Sequence, residues 1–321
     1  MKPGFIQSPV GGYHYLFGPV ASRRFGRSLG VDIVPLKTCS FNCVFCEVGV
    51  TPETTMIRRE YVPLADVFSE FDKWHASGNS ADYVTVTGSG EPTLHTGFGN
   101  VLAHIQDICR YKTALLTNGT LFHLPEVRAG ALKATVVKAS LSAWDDASLH
   151  AINRPCAGLT LDMIVKGLRK FRSEYTGALW LEVFALAGIN DSDDNMKRIA
   201  ELARSIGPDR IHLNTVVRPP ADTVAKPLTR ERLMELSSFF GEEAEIIAEF
   251  ESSTVDKDAV TSERVVQVLK RRPCTARDLA GAFGADLGEV QGCLDDLIGN
   301  ERIHCIEQSG ENYYVVGIGL K

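Results

Sequence analysis

Three cysteines, Cys39, Cys43 and Cys46, stand at Cys-x3-Cys-x2-Cys spacing in the run 38–47, TCSFNCVFCE. Thiolates this close in sequence converge on one soft metal centre and leave it one ligand short. A structural zinc site is normally closed by four protein ligands, whereas a site that does chemistry keeps a position open. The nearest later residue able to close the site in zinc fashion is His75, beyond a helical segment. An iron–sulfur cluster with one open iron suits three thiolates better, because cysteine is its usual ligand. A disulfide framework would need a secreted setting and an even local cysteine count. Residues 1–10 carry no apolar core behind a basic start and do not read as a signal peptide. Cys109, Cys156, Cys274, Cys293 and Cys305 are scattered among apolar neighbours and read as buried thiols. Their spacing assigns none of them to a second cluster.

The elements that must position these thiols follow from hydrophobic patterning. Strand-like runs at 29–35, 82–87, 112–117, 134–141, 178–186 and 210–216 alternate with helical periodicity at 64–76, 98–110, 124–131, 145–152 with 161–175, and 192–206. Such alternation means a parallel sheet joined by right-handed crossovers. Six units predict an α/β fold built as a partial (β/α)6 barrel, and barrel active sites form at the C-terminal strand ends. The first strand runs into the cysteines. The second ends in Gly88, Ser89, Gly90 and Glu91, where glycines let backbone approach a ligand closely. The third ends in Thr117 and Asn118, the fourth in Ser140 and Ser142, and the sixth in Asn214, followed by Arg218. Asn118-Gly119 reads equally well as a helix-entry turn. The fifth strand carries Glu182 in the apolar stretch LWLEVF, and a carboxylate so placed needs a partner or a function.

The cysteine spacing after a strand resembles the signature of the radical SAM superfamily. Residues 88–91 resemble that family's Gly-Gly-Glu-type motif, with Ser89 inserted. The resemblance implies a [4Fe–4S] cluster on Cys39, Cys43 and Cys46, whose open iron takes the amino and carboxylate groups of S-adenosylmethionine. It further implies reductive cleavage to a 5′-deoxyadenosyl radical, with an electron donor such as ferredoxin or flavodoxin. The strand-end carbonyls at 88–91 would face the methionine ammonium. Thr117, Asn118, Ser140 and Ser142 would reach ribose or carboxylate. Glu182 would hold a ribose hydroxyl pair or bond an arginine such as Arg154, and backbone near Asn214 would pair with the adenine edge. Phe41, Val44 and Phe45 would form an apolar collar. Further runs at 18–24, 28–30, 152–155, 158–159, 188–192 and 218–220 resemble the radical SAM group related to the wybutosine-synthesis enzymes, over roughly residues 15–228. That group rebuilds a tRNA guanosine; no flavodoxin-like domain is expected within these 321 residues.

The chain has 321 residues, 44% of them hydrophobic and 23% charged, enough for a full core and two domains. Its net charge of -6 argues against a general basic surface for nucleic acid. No apolar run reaches membrane-span length. A soluble cytoplasmic protein is expected. The barrel is expected over 1–252 and a winged-helix-like domain over 258–321, with a polar linker at 251–258. In the latter, a helix carrying Val265, Val266 and Leu269, helices at 275–283 and 287–298, and strands at 303–307 and 313–317 are predicted. The third helix bears Glu289, Asp295 and Asp296 and no Lys or Arg, so DNA is disfavoured relative to a protein or peptide contact. A lid or packing role is an equal reading.

For the substrate, Arg23, Arg24 and Arg27, with Arg154 and Arg218, form a basic set able to grip phosphate or carboxylate. Three functions compete: an enzyme acting on a protein, peptide or small anionic metabolite; an enzyme modifying RNA; and an iron–sulfur regulator reading DNA. The polar strand-end set argues against the third, because a sensor needs no nucleoside pocket.

Overall fold

The computed structural model describes residues 13–22, 24–109, 111–247, 260–308 and 310–316. Residues 1–10, the linker at 251–258, Arg23, Arg110 and Gly317 lie outside them. Eight strands add in chain order to one sheet: β1 (Leu16–Ser22), β2 (Gly26–Val31), β3 (Tyr83–Val86), β4 (Lys112–Thr117), β5 (Val136–Ser140), β6 (Ala178–Phe184), β7 (Arg210–Asn214) and β8 (Ala244–Ile246). Strands β2 to β8 are parallel, and β1 is antiparallel to β2. The helices between them are α1 (Leu64–Ala76), α2 (Phe98–Ile108), α3 (Pro125–Ala131), α4 (Asp146–Ile152), α5 (Leu161–Glu174), α6 (Asp193–Ile206) and α7 (Arg230–Ser237).

These boundaries have local causes. Asp145 accepts from Ser148 N while the Ser148 hydroxyl meets the Asp145 N–H, a capping box that starts α4. Ser192 caps α6 through Asn195 N, and Gly207 ends it in the left-handed conformation at φ 74°. The expected first strand begins earlier and ends at Val31, because the chain leaves the sheet to build the cysteine loop. Strand β1 carries no alternating pattern, and Gly18-Pro19 interrupts it. Proline is tolerated there because β1 is an edge strand whose register shifts between Phe17 and Val20.

Phe71, Trp74, Phe98, Phe122 and Phe171 fill the main core between sheet and helices. A second apolar cluster joins α8 (Ser262–Leu269), α9 (Ala276–Phe283), α10 (Leu287–Gly299) and the antiparallel pair β9 (Ile303–Gln308) and β10 (Glu311–Val316). Val20 of β1 packs against this cluster, so the edge hairpin is the platform on which the C-terminal elements sit.

Phe171 is fully buried, edge-to-face with Phe122 at 4.6 Å and stacked on Tyr175 at 4.6 Å. Phe171→Ala should lower the unfolding free energy by about 3–5 kcal/mol in urea titration. A loss well below 1 kcal/mol (roughly) would show that the core collapses freely around the site.

Candidate active site

Inward-facing residues of β2 to β7 border a single pocket of about 420 Å³. They include Ser28 and Gly30, Thr85, Leu116, Ser140, Glu182 and Asn214. The parallel sheet therefore brings residues of β2 and β7, at opposite ends of the parallel run, to one cavity. Cys39 and Cys46 border the pocket from the loop after β2, and Phe45 stacks on Phe184 at 4.1 Å beside them.

Each cysteine sulfur has an N–H donor aimed at it. Asn118 Nδ2 stands 3.6 Å from Cys39 Sγ, Asn153 Nδ2 is 3.2 Å from Cys43 Sγ, and Lys37 Nζ is 3.2 Å from Cys46 Sγ. Such donors stabilise sulfur as an anion. Burial pushes the Cys39 thiol up to about 12 and the Cys43 thiol higher still. A metal binds the thiolate, so ligation by these cysteines would release their protons. Among the described residues no three His, Cys, Asp or Glu side chains are arranged around one metal ion. His75, the candidate fourth zinc ligand, sits at the far end of α1 against Phe71 and Tyr111. The donor set therefore fits a cluster.

The cysteine loop is tied to the loop after β3. Lys37 N donates to Ser89 O at 2.8 Å and Glu91 N to Thr38 O at 2.9 Å. A Cβ on Gly90 would stand 2.0 Å from the Thr38 carbonyl oxygen. Gly90 is thus needed for loop-to-loop contact, a reason the sequence did not reveal. Ser89 donates its hydroxyl to Asp32 at 2.6 Å and does not border the pocket. Glu91 is buried and accepts from Thr93 N and Oγ1, Thr117 Oγ1 and Asn118 N. Burial raises its pKa against these four bonds. Asn118 also donates to Ser40 Oγ at 2.8 Å.

Glu182 is held by Arg24 and Lys138, each at 2.6 Å, with Asn214 Nδ2 at 3.4 Å. Burial alone would raise this carboxyl's pKa, but Lys138 and Arg24 outweigh it and hold it well below the ordinary range. Its arginine is Arg24 and not Arg154, which pairs with Asp222 at 2.6 Å away from the pocket. Ser142 also lies outside the pocket lining; its hydroxyl accepts from Phe184 N. Arg218 borders the pocket, buried, 3.4 Å from Glu47 and 3.8 Å from Asp278. Sequence reasoning missed Lys138, Asp32, Lys37 and Asn153. Lys138 was detectable as a lysine inside an apolar strand; the others carry no local signal. It also missed Arg271 and Arg272, from the turn between α8 and α9, which border the same pocket.

The family description "Radical SAM superfamily" matches residues 33–213, more than half of the chain. The chain belongs to the radical SAM superfamily. Enzymes of this superfamily use a [4Fe–4S] cluster and S-adenosylmethionine, cleave the latter to a radical, and need a reductant; this chain is a radical SAM enzyme. It is 29% identical to UPF0026 protein MJ1312 of Methanocaldococcus jannaschii, over 94% of this chain and 96% of that one. It is 32% identical to a Brachyspira hyodysenteriae protein named GTPase Obg, over 94% of this chain, but it spans only 45% of that protein's length. Among solved structures, Streptococcus suis SuiB superposes with TM-score 0.51 at 18% identity, covering 69% of this chain and 49% of that one, which is a likeness of fold. No helix among the described residues is long and apolar enough to cross a membrane.

Two predictions follow from this geometry in the radical SAM enzyme. Gly90→Ala should cost about 1–3 kcal/mol by overpacking and reduce iron uptake, because the obstructing atom is backbone. Iron and sulfide content after anaerobic reconstitution, with a denaturant titration, checks it; wild-type values in both would contradict the loop contact. His212 of β7 is pushed down to about 3, first by burial and then by Arg24 and Lys138, with Glu182 and Glu245 opposing or flanking it. The unfolded histidine takes up a proton near 6.5 and the folded one does not. Its contribution is therefore full above pH 6.5 and is lost progressively as pH falls towards 3. His212→Gln should flatten the stability profile just below pH 6.5, as read by urea titration at stepped pH.

Proposed function

We propose that this radical SAM enzyme acts on a small anionic substrate, with Cys39, Cys43 and Cys46 holding the cluster. The observation that carries the reading is the three-cysteine loop, each sulfur met by an N–H donor, at the C-terminal mouth of parallel strands that share one pocket. When bound, the cluster and S-adenosylmethionine would supply one-electron reductive cleavage of the sulfonium, the electron coming from an external reductant. The chain's residues bind, orient and enclose. Asn118, Asn153 and Lys37 stabilise negative charge on the three sulfurs and tune the cluster by hydrogen bonding. Gly88, Gly90 and Glu91 offer backbone and carboxylate edges to the methionine end, with Thr117 and Asn118 beside them. Ser140 and Asn214 line the part suited to ribose and adenine. Glu182 fixes Arg24 and Lys138 as paired cations on the wall. The stacked Phe45 and Phe184 keep water from the reacting carbon.

The substrate class is supported by the pocket's cations and by its small-molecule size. Tyr313 Oη donates to Val217 O at 2.7 Å, joining β10 to the barrel. Residues 258–321 are proposed as a winged-helix-like domain that presents substrate and not DNA. Exposed Glu289, Asp295 and Asp296 on α10 would meet phosphates with the wrong sign. A ferredoxin or flavodoxin would dock beside the cysteine loop. All eight cysteines are free, which suits a reducing, cytoplasmic setting.

The test is anaerobic reconstitution with iron and sulfide, then S-adenosylmethionine and a strong reductant. 5′-Deoxyadenosine should appear with wild type and be abolished in Cys43→Ala, with loss of cluster absorbance. Full cluster content and turnover in Cys43→Ala would overturn the ligand assignment.

A further inference from the structure

Five cationic side chains border the pocket: Arg24, Lys138, Arg218, Arg271 and Arg272. Four of them face carboxylates. Arg24 and Lys138 share Glu182, Arg218 faces Glu47 and Asp278, and Arg271 Nε stands 3.3 Å from Asp32. The Arg272 guanidinium has neither an ion pair nor a hydrogen-bond partner among the described residues, although it is part-buried. Its nitrogens are not among the buried ones, so an anion entering the pocket can reach them without displacing a carboxylate.

The residue is also presented by a fixed backbone. Arg272 N donates to Val268 O at 3.2 Å, and Cys274 pairs with Tyr314 of β10 in both directions at 3.3 and 2.8 Å. Its neighbour Arg271 is locked over the Phe17 ring at 4.5 Å and donates to Gln267 O at 2.9 Å. Asp32, which Arg271 meets, accepts from Ser89 in the loop that carries Glu91. The turn between α8 and α9 is therefore anchored to the same loop system as the cysteines.

We propose that Arg272 is a substrate-binding residue that grips a carboxylate or phosphate of the small substrate, making the C-terminal elements one wall of the active site. A guanidinium matches either group in bidentate fashion, which an ammonium does not. The inference rests on the radical SAM reading of the pocket.

The test is calorimetric titration of the full-length, cluster-loaded, unreduced protein with S-adenosylmethionine present. Inorganic phosphate and glutarate serve as separate probes of the two anion types. Wild type should bind one of them, which identifies the group. Arg272→Ala should weaken that binding by about 10- to 100-fold, and Arg272→Lys should restore part of it. Cluster absorbance and thermal midpoint verify each variant's fold; should Arg272→Ala fail there, Arg272→Gln removes the charge while keeping a polar side chain. Binding of neither anion by wild type, or equal binding by wild type and the charge-removing variant, overturns the proposal. Loss of S-adenosylmethionine affinity with anion binding intact would also overturn it, by assigning the guanidinium to the cofactor's own carboxylate. Because the measurement uses no turnover, failure of the superfamily chemistry would show separately, as absent 5′-deoxyadenosine.

Discussion

Backbone contact between two strand-end loops is the constraint on which the site depends. The cysteine loop has no regular secondary structure of its own, yet it must hold three thiols in register for one cluster. Its start is held by Lys37 N on Ser89 O and by Glu91 N on Thr38 O. Both bonds require the chains to approach more closely than any side chain at Gly90 would allow. Glu91 then carries the restraint onward, gathering Thr93, Thr117 and Asn118 around one buried carboxylate. Asn118 returns to the cysteine loop through Ser40 and Cys39. The ends of β2, β3 and β4 thus form a closed circuit of hydrogen bonds, and a shift in one loop moves all three.

A second constraint is electrostatic. Glu182 is withdrawn from water and is stable there only because Arg24 and Lys138 reach it from β5 and the β1–β2 turn. The same two cations, with burial, keep His212 neutral on the neighbouring strand. A neutral histidine and a charged carboxylate side by side are the outcome of one field acting on two groups of opposite charge type. The pair of cations therefore shapes the wall as a unit, and removing either leaves a buried charge short of a partner.

Much of this was legible in the chain because it is locally encoded. The parallel strands and their helices follow from hydrophobic period, and α1 and α4 to α6 from caps or amphipathic faces. The cysteine spacing is local as well. What was not legible depends on residues far apart in sequence. Gly90 reads as a ligand-approach glycine, and only the fold shows Thr38 pressed against it. Arg154 and Arg24 are indistinguishable as strings; one meets Asp222 and the other Glu182, over 68 and 158 residues of separation. Strand β1 was hidden because proline in an edge strand breaks the pattern that marks interior strands. Arg271 and Arg272 looked like part of a separate module, since nothing in a helix–turn–helix pattern says which neighbour its turn will face.

The charge distribution ties these features to recognition. The whole chain carries -6, and α10 turns Glu289, Asp295 and Asp296 outward, so its long-range field disfavours extended polyanions. Inside the pocket five cationic side chains stand among the carboxylates of Glu47, Glu91 and Glu182, with Asp278 and Asp32 against Arg218 and Arg271, and of the five Arg272 faces none among the described residues. Salt screens the outer field within about 10 Å at moderate ionic strength, whereas charges in a part-buried cavity are screened much less. On the proposed reading, an anion small enough to enter the pocket meets Arg272, while a polymer held at the surface meets the acidic field. On that reading selection by size and selection by charge are the same physical event, and the C-terminal turn that carries Arg272 would supply part of both.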